Sequence, residues 1–312
     1  MEEPGRVVSE LTSDVEVQYV YNEDDYGAFE VSLHGKLGAE HVVAVTDPEC
    51  DVVVLQRPAH RHLVETIPLL QQHGCAVVVD YDDDFDSIHP KNQAWSHYQP
   101  ETNPQLNKVW AKLASNLADL VTVTTPALAK RYGQHGRVAT LPNYVPESYL
   151  KVEPSWPTEH MRNVPSIGWA GNPGSHPGDL EVMGAAIHDL TFDKIARFKT
   201  IGTGKTNRIV SARHPDTVVW APIDEFPSLT ASFDIGVVPL ADSTFNRAKS
   251  WLKGLEYAAL GVPFVASPTA PYRQLERLGA GDLVTSTTKN TNAWKRALLR
   301  YVEDEEYRRL RS

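Results

Sequence analysis

Residues 249–267, KSWLKGLEYAALGVPFVAS, decide how the rest of the chain is read. At about 100° per residue, a helix beginning at Lys249 places Lys249, Lys253 and Glu256 in one narrow stripe and Trp251, Leu252, Leu255, Ala258 and Ala259 on the opposite, wider arc. The wide arc is predicted to pack, and the stripe to stay available to a ligand. Gly261 and Pro263 end the helix and residues 262–266 supply a short apolar strand, so the stripe is carried on an α/β framework. Two ammonium groups beside a carboxylate suit a sugar nucleotide, the lysines facing a diphosphate and the Glu accepting from ribose hydroxyls. A solvated helix face accounts for the same three charges.

The chain around this stretch has 312 residues, 41% of them hydrophobic, enough for two cores. A net charge of −10 excludes holding nucleic acid by broad electrostatics, while leaving room for a local basic groove. Cys50 and Cys75 are the only cysteines, which excludes a disulfide framework and a Cys-rich zinc site and suits a reducing cytoplasm. No apolar run approaches the roughly 18 residues that span a bilayer, and residues 1–10 are acidic and polar. The expectation is a soluble cytoplasmic protein with no membrane anchor.

Short β-rich runs at 15–21, 41–45, 52–55, 75–80 and 120–124 alternate with helical stretches, notably 59–73 and 104–118, and 138–141 adds a last strand. Pro142, Pro146, Pro154 and Pro157 then punctuate a polar segment, so the linker is expected at 146–164, between an N-terminal domain of residues 1–150 and a C-terminal domain of residues 151–312. The second series has strands at 166–170, 197–201, 217–220, 234–239 and 262–266. Its helices are expected at 178–190, 224–232, 249–260, 271–278 and from 291 onward. Both series predict a parallel sheet with helices on its two faces.

The 249–267 stretch resembles the C-terminal signature of GT-B glycosyltransferases, a Lys-rich helix with a Glu, a small-residue run and then G-x-P-x-V-A-S. The retaining branch of that family carries two Glu eight positions apart. Glu256 matches the second, and Ala248 stands at the first. Residues 168–179, GWAGNPGSHPGD, hold four glycines between a strand and a helix, where backbone N–H groups approach an anion or where a plain βα loop turns. They resemble the G-W-x-G-x-x-x-x-H-x-x-D loop of a subgroup found in bacteria and bacteriophages, with His176 and Asp179 at the matching places. The G-R-x-x-x-x-K-G form that clamps the diphosphate in other members is missing, which leaves that role to Lys249 and Lys253. The resemblance implies two doubly wound Rossmann-like domains facing across a cleft, with a UDP- or GDP-type sugar as co-substrate and no permanently bound cofactor. Gly171, Asn172, His176, Lys249, Lys253 and Glu256 are the donor-binding candidates.

Several other motifs bear on this expectation. Residues 202–206, GTGKT, look like the end of a Walker A loop, but Lys199 stands where that pattern needs Gly. In the GT-B reading the loop ends a strand, and Lys205 and Arg208 are donor-side candidates or solvated loop residues. The segment around Pro222, WAPI at 220–223, resembles the one that meets the nucleotide base.

Residues 80–86, DYDDDFD, contain overlapping D-x-D patterns that suit a divalent cation in metal-dependent transferases. Their place after a first-domain strand favours Asp82, Asp83 and Asp84 as acceptor-side or catalytic groups, with no metal. Acids complementing the next helix dipole are the plainer account. His89 is a candidate for proton transfer among twelve histidines, most of which are structural in a typical chain. Arg57, in a Q-R-P element at a strand end, is an acceptor-side candidate.

The expected activity is transfer of a sugar from a nucleoside diphosphate sugar to a hydroxyl on a protein, a modified DNA base or a glycan, metal-independent and with retention. In a phage-encoded protein it takes place in the host cytoplasm. A non-catalytic sugar-nucleotide or glycan-binding module and a sugar-nucleotide epimerase are the alternatives.

Overall fold

The computed structural model describes residues 17–21, 51–98, 106–153, 164–219, 222–286 and 288–312. The strand read at 41–45 lies outside them, as do Trp220 and Ala221 and most of the expected linker. The chain forms two compact units. One comprises Met1–Pro90, Ala94–Pro142 and Ala248–Ser250; the other comprises Lys91–Gln93, Asn143–Arg247 and Trp251–Ser312.

The first unit is built on five parallel strands in the order β1-β2-β3-β4-β5: Val17–Tyr21, Val52–Gln56, Ala76–Tyr81, Leu120–Val123 and Val138–Thr140. Helices α1 (Arg61–Gln72), α2 (Asn107–Leu117) and α3 (Pro126–Tyr132) connect them. Val53, Leu55, Val77, Val79, Val121 and Val123 are fully buried, as β-branched and apolar runs in a parallel sheet covered on both faces must be. The start of α3 follows from its sequence: Thr125 accepts from the Leu128 amide at 3.3 Å, and Pro126 occupies the first turn.

The second unit has six parallel strands, in sequence order β6 Ser166–Gly171, β7 Arg197–Gly202, β8 Asp216–Val218, β9 Ile235–Val238, β10 Phe264–Ala266 and β11 Asp282–Leu283. In the sheet they run β11-β10-β9-β6-β7-β8. Read from β8, this is the 3-2-1-4-5-6 order of a doubly wound nucleotide-binding sheet, whose direction of winding reverses between β6 and β9. Helices α4 (Ala186–Phe192), α5 (Lys205–Val210), α6 (Phe226–Ala231), α7 (Thr244–Ala248), α8 (Leu252–Ala259), α9 (Ala270–Arg277), α10 (Thr291–Glu303) and α11 (Glu305–Leu310) complete it. Trp169, Ile187, Leu190, Phe198, Ile235, Trp294 and Tyr301 fill one core; Tyr257, Phe233, Phe264, Leu260 and Tyr272 fill another. No described helix is long and apolar enough to cross a membrane.

Three expectations change. The helix read at 178–190 is a 3-10 turn, Leu180–Met183, followed by α4, because Gly184 turns with φ 58° and a Cβ there would meet Thr291 Oγ1 at 2.2 Å. The glycine loop therefore does not open on an α-helix N-terminus. Residues 143–150, read as the end of the first domain and the start of its linker, stand with the second unit. Tyr149 is buried in a core of that unit, and the Trp251 indole donates to the Asn143 carbonyl at 3.0 Å.

The third change concerns the helix that opened the reading. It is two helices, α7 and α8, and Lys249 lies in the break between them. The Ala248 carbonyl, which a continuous helix would offer to residue 252, accepts from the Thr125 hydroxyl at 2.8 Å. The residues of α8 that are buried are Gly254 and Tyr257, while Leu252, Leu255, Ala258 and Ala259 are half-buried. The packing seam is thus rotated from the arc expected of a helix begun at Lys249.

Candidate functional site

In the second unit, the C-terminal ends of β6 and β7 are both glycine. Gly171 and Gly202 are paired in register, with φ 151° and 132°, and a Cβ on Gly202 would lie 2.3 Å from the Gly171 carbonyl oxygen. Only glycine permits so close a backbone approach there. Lys253, projecting from α8, reaches this point. Its ammonium donates to the Ala170 carbonyl and lies 4.7 Å from the centre of the Trp169 ring, so a cation is held against an aromatic face where the strands end.

One turn farther along α8, Glu256 is half-buried and accepts from the Tyr149 hydroxyl at 3.2 Å. Burial raises its carboxyl above the usual carboxylate range; the Lys253 charge and the Tyr149 bond pull the other way. Lys253 and Glu256 are therefore kept together by α8 as a cation and carboxylate pair beside the two glycines.

The loop after β6 is fastened from within the same unit. Asn172 accepts from the Gly174 amide at 2.9 Å and donates to Gln93 Oε1 at 3.1 Å. His176 Nδ1 meets Asp179 Oδ2 at 3.0 Å, and the buried Asp179 accepts through Oδ1 from the Ala241 amide at 2.8 Å and from Asn246 Nδ2 at 2.6 Å. This fixes the His176 ring, which also meets Trp169 edge to face at 6.1 Å. After β7, the Thr203 and Thr206 hydroxyls are shut from solvent and have no hydrogen-bond partner among the described residues. Lys205, Arg208 and Pro222 are exposed.

In the first unit, the acid run follows β3, and its carboxylates turn to different cations. Asp82 lies 3.9 Å from Arg57 Nε, Asp83 lies 3.3 Å from Lys249 Nζ, and Asp84 lies 3.0 Å from Arg131. Asp86 is 3.6 Å from Arg131 and 3.5 Å from Lys108. Among the described residues, no three His, Cys, Asp or Glu side chains are gathered so as to hold a metal ion.

The members of the run differ in kind. Asp84 is 3% exposed and also accepts from the Asp86 amide at 3.2 Å, a structural bond that caps the turn Phe85–Ser87. Asp82 is 38% exposed, yet its Oδ1 is shut from solvent and has no hydrogen-bond partner among the described residues. Burial, and then the neighbouring Asp83 charge, push its carboxyl up to about 6, against the pull of Arg57. Arg57 stands at φ 48°, a left-handed backbone unusual for a long side chain, where β2 ends. His89 is exposed.

Replacing Asp84 by Asn is accordingly expected to cost stability. The loss of a charge-assisted bond to Arg131, itself about one-third exposed, should amount to about 2 kcal/mol in urea unfolding. A variant as stable as the parent would return Asp84 to the chemically free acids.

The structure brings Gly171, Lys253 and Glu256 together and keeps Asn172 and His176 on the adjoining loop. Lys249 is not in that stripe: it stands in the first unit on Asp83. Sequence reasoning missed Tyr149 and Asn246, and it matched Trp169 and Asp179 to the loop motif without giving them a part in holding the candidate groups. Trp169 and Asp179 lie inside the quoted glycine loop, where a buried aromatic and an acid three residues after a His were visible signals.

No protein-family model and no curated protein matches the chain. Among solved structures the fold is widely shared. A UDP-forming α,α-trehalose-phosphate synthase from Burkholderia xenovorans is similar over 84% of this chain and 69% of its own, with 16% identity and a TM-score of 0.53. HepE from Anabaena, in complex with UDP, is similar over 85% of this chain and 72% of its own, with 16% identity and a TM-score of 0.52. TarM from S. aureus, also in complex with UDP, matches 83% of this chain at 13% identity and a TM-score of 0.51, and this chain spans 49% of it. The protein therefore has the GT-B fold of two Rossmann-like domains, each with a parallel sheet.

Proposed function

We propose that the protein is a glycosyltransferase that moves a sugar from a nucleoside diphosphate sugar to a hydroxyl acceptor. The observation that carries this reading is the Lys253 and Glu256 pair on α8, set against the glycine ends of β6 and β7 beside the point where the sheet reverses its winding. The glycines let a phosphate approach the backbone, Lys253 supplies charge, and Glu256 accepts from ribose hydroxyls. UDP in complexes of this fold favours a UDP-type donor. A sugar moved by this protein goes to a protein, modified DNA base or glycan, with retention.

In the same reading, Asp82 takes the proton of the acceptor hydroxyl. A carboxylate poised near neutrality by burial is a competent base, and Arg57 holds it while meeting the acceptor. Asp83 and Lys249 flank it as a pair, and His89 is a secondary candidate for proton transfer. Because the acid run faces Arg57, Lys249, Arg131 and Lys108, transfer proceeds without a metal, and activity is expected to persist in a chelator.

The base must be deprotonated to act, and burial has raised its pKa, so the rate should fall about tenfold for each pH unit below about 6. Arg57→Gln removes a charge that lowers this pKa and should move the acidic limb to higher pH. Initial rates with UDP-sugar donors, measured across pH with and without EDTA, test both points. A flat profile with an unmoved limb in the Arg57 variant would remove Asp82 from proton transfer, and a loss in EDTA restored by Mn²⁺ would overturn metal independence.

One observation favours a second reading, a non-catalytic sugar-nucleotide binder. Ala248, at the place of the first Glu of the retaining signature, is 5% exposed and spends its carbonyl on Thr125. Donor hydrolysis by the purified protein separates the two, since a pure binder shows none.

A further inference from the structure

The carboxylate of Glu256 is held from a segment expected to be linker. The helical turn Glu147–Leu150 begins at Pro146, and the Tyr149 amide donates to the Pro146 carbonyl at 3.0 Å. Of the four residues in this turn only Tyr149 is buried, at 7% exposed, while Leu150 beside it is 68% exposed. A turn needed only to close the core would bury the leucine and leave the phenol to water, since the phenol carries a polar atom that burial must satisfy. The hydroxyl finds its partner in Glu256 Oε1, 3.2 Å away and 107 residues on.

Both ends of that bond are anchored. The Tyr149 ring lies in the core formed with Tyr257, Leu260, Phe264 and Tyr272, and Val145 and Val152 pack against the same core from either side of the turn. The Trp251 indole, one residue before α8, donates to the Asn143 carbonyl at 3.0 Å and ties the segment to the helix that carries Glu256. The last torsion of a Glu side chain is intrinsically broad and nearly two-fold. With Oε1 accepting from Tyr149 the carboxylate plane is restrained, and Oε2, which has no hydrogen-bond partner among the described residues, is left to a ligand. A neutral donor does this without cancelling the charge. Burial, and then the Glu256 charge and hydrogen bond, push the Tyr149 hydroxyl well above its ordinary range, so it stays a donor across the pH range of a binding experiment.

We infer that Tyr149 is a positioning residue for nucleotide recognition: by restraining the Glu256 carboxylate it makes the site demand ribose hydroxyls, so that a nucleotide lacking them is rejected. This rests on the donor reading of Glu256 and adds the residue that gives that carboxylate its selectivity. An acceptor aimed at a sugar hydroxyl discriminates strongly against the analogue without it when it is held in place, whereas one able to turn away pairs with water instead.

Calorimetric titration of the full chain, of Tyr149→Phe and of Glu256→Ala, with UDP and with 2′,3′-dideoxy-UDP, tests it. The parent is expected to bind UDP about tenfold or more tightly than the dideoxy nucleotide. Tyr149→Phe keeps the ring in the core and loses the hydroxyl, so it should weaken UDP about three- to tenfold, leave the dideoxy nucleotide unchanged and narrow the ratio. It also removes a bond that lowers the Glu256 pKa, so its UDP affinity should begin to decline at a higher pH than the parent's as the pH falls. A role in packing alone would move neither the ratio nor the pH of the decline. If Glu256→Ala narrows the ratio and Tyr149→Phe does not, or if Tyr149→Phe weakens both nucleotides equally, the positioning role is overturned and the donor reading stands. A parent ratio near one that Glu256→Ala leaves unchanged overturns both.

Discussion

Glu256→Ala is expected to weaken UDP binding ten- to hundredfold and leave the fold intact. The carboxylate accepts one bond from Tyr149 at 3.2 Å and keeps capacity for the ribose hydroxyls; a charge-assisted bond of that kind contributes about 1.5 to 3 kcal/mol. The residue is half-buried on the side of α8 that does not form the packing seam, so its loss opens no core cavity. Protonation should mimic the mutation. Burial raises the Glu256 pKa, so UDP affinity is full at pH values above it and declines as the pH falls through it. Lys253→Ala removes the charge that lowers this pKa, and the decline should then begin at higher pH. Calorimetry with UDP across pH reads both effects, and an affinity indifferent to the Ala substitution would detach Glu256 from the nucleotide.

Tyr257→Ala should unfold the second unit far more readily, by about 3 to 5 kcal/mol, the range for truncating a buried aromatic. Its ring is 1% exposed and lies over Gly236, where even a Cβ would come within 2.7 Å of it. It meets Phe233 with ring centres 6.3 Å apart and Phe264 at 6.0 Å, so its removal leaves a hole between α8 and the centre of the sheet. Leu255→Ala, on the arc that a helix begun at Lys249 would have buried, should cost about 1 kcal/mol, because Leu255 is only half-buried. Urea unfolding of the two variants ranks them, and an equal or reversed order would restore the wider arc as the packing face.

The alternation of strands and helices was legible in the sequence because parallel strands buried on both faces are written as continuous apolar runs, such as VVVL in β2 and IGVV in β9. Lys253 and Glu256 were legible as a local pair, being three residues apart on one helix. Lys249 was not, because the break after Ala248 depends on Thr125, more than a hundred residues away, and periodicity carries no information about such a partner. The acid run shows the same limit. Five carboxylates in seven residues read as one chemical feature, while their different fates follow from Arg57, Arg131, Lys108 and Lys249 on other elements. Helix ends set by the chain itself, such as the Thr125 cap followed by Pro126, need no distant partner.

The short segments Lys91–Gln93 and Ala248–Ser250 make each unit discontinuous in sequence. Any single cut of the chain therefore yields two fragments of which at least one contains an incomplete unit. A gene divided after Pro142 would encode a first fragment without Lys249, the cation on Asp83, and without the Ala248 carbonyl that occupies Thr125. The second fragment would lack Asn92, whose amide donates to the Ser175 carbonyl at 3.0 Å, and Gln93, which fastens Asn172. The halves of this protein are thus not interchangeable cassettes: each carries three residues on which the other's site is built, and exchange of one half with a relative of the same fold must carry those triplets with it.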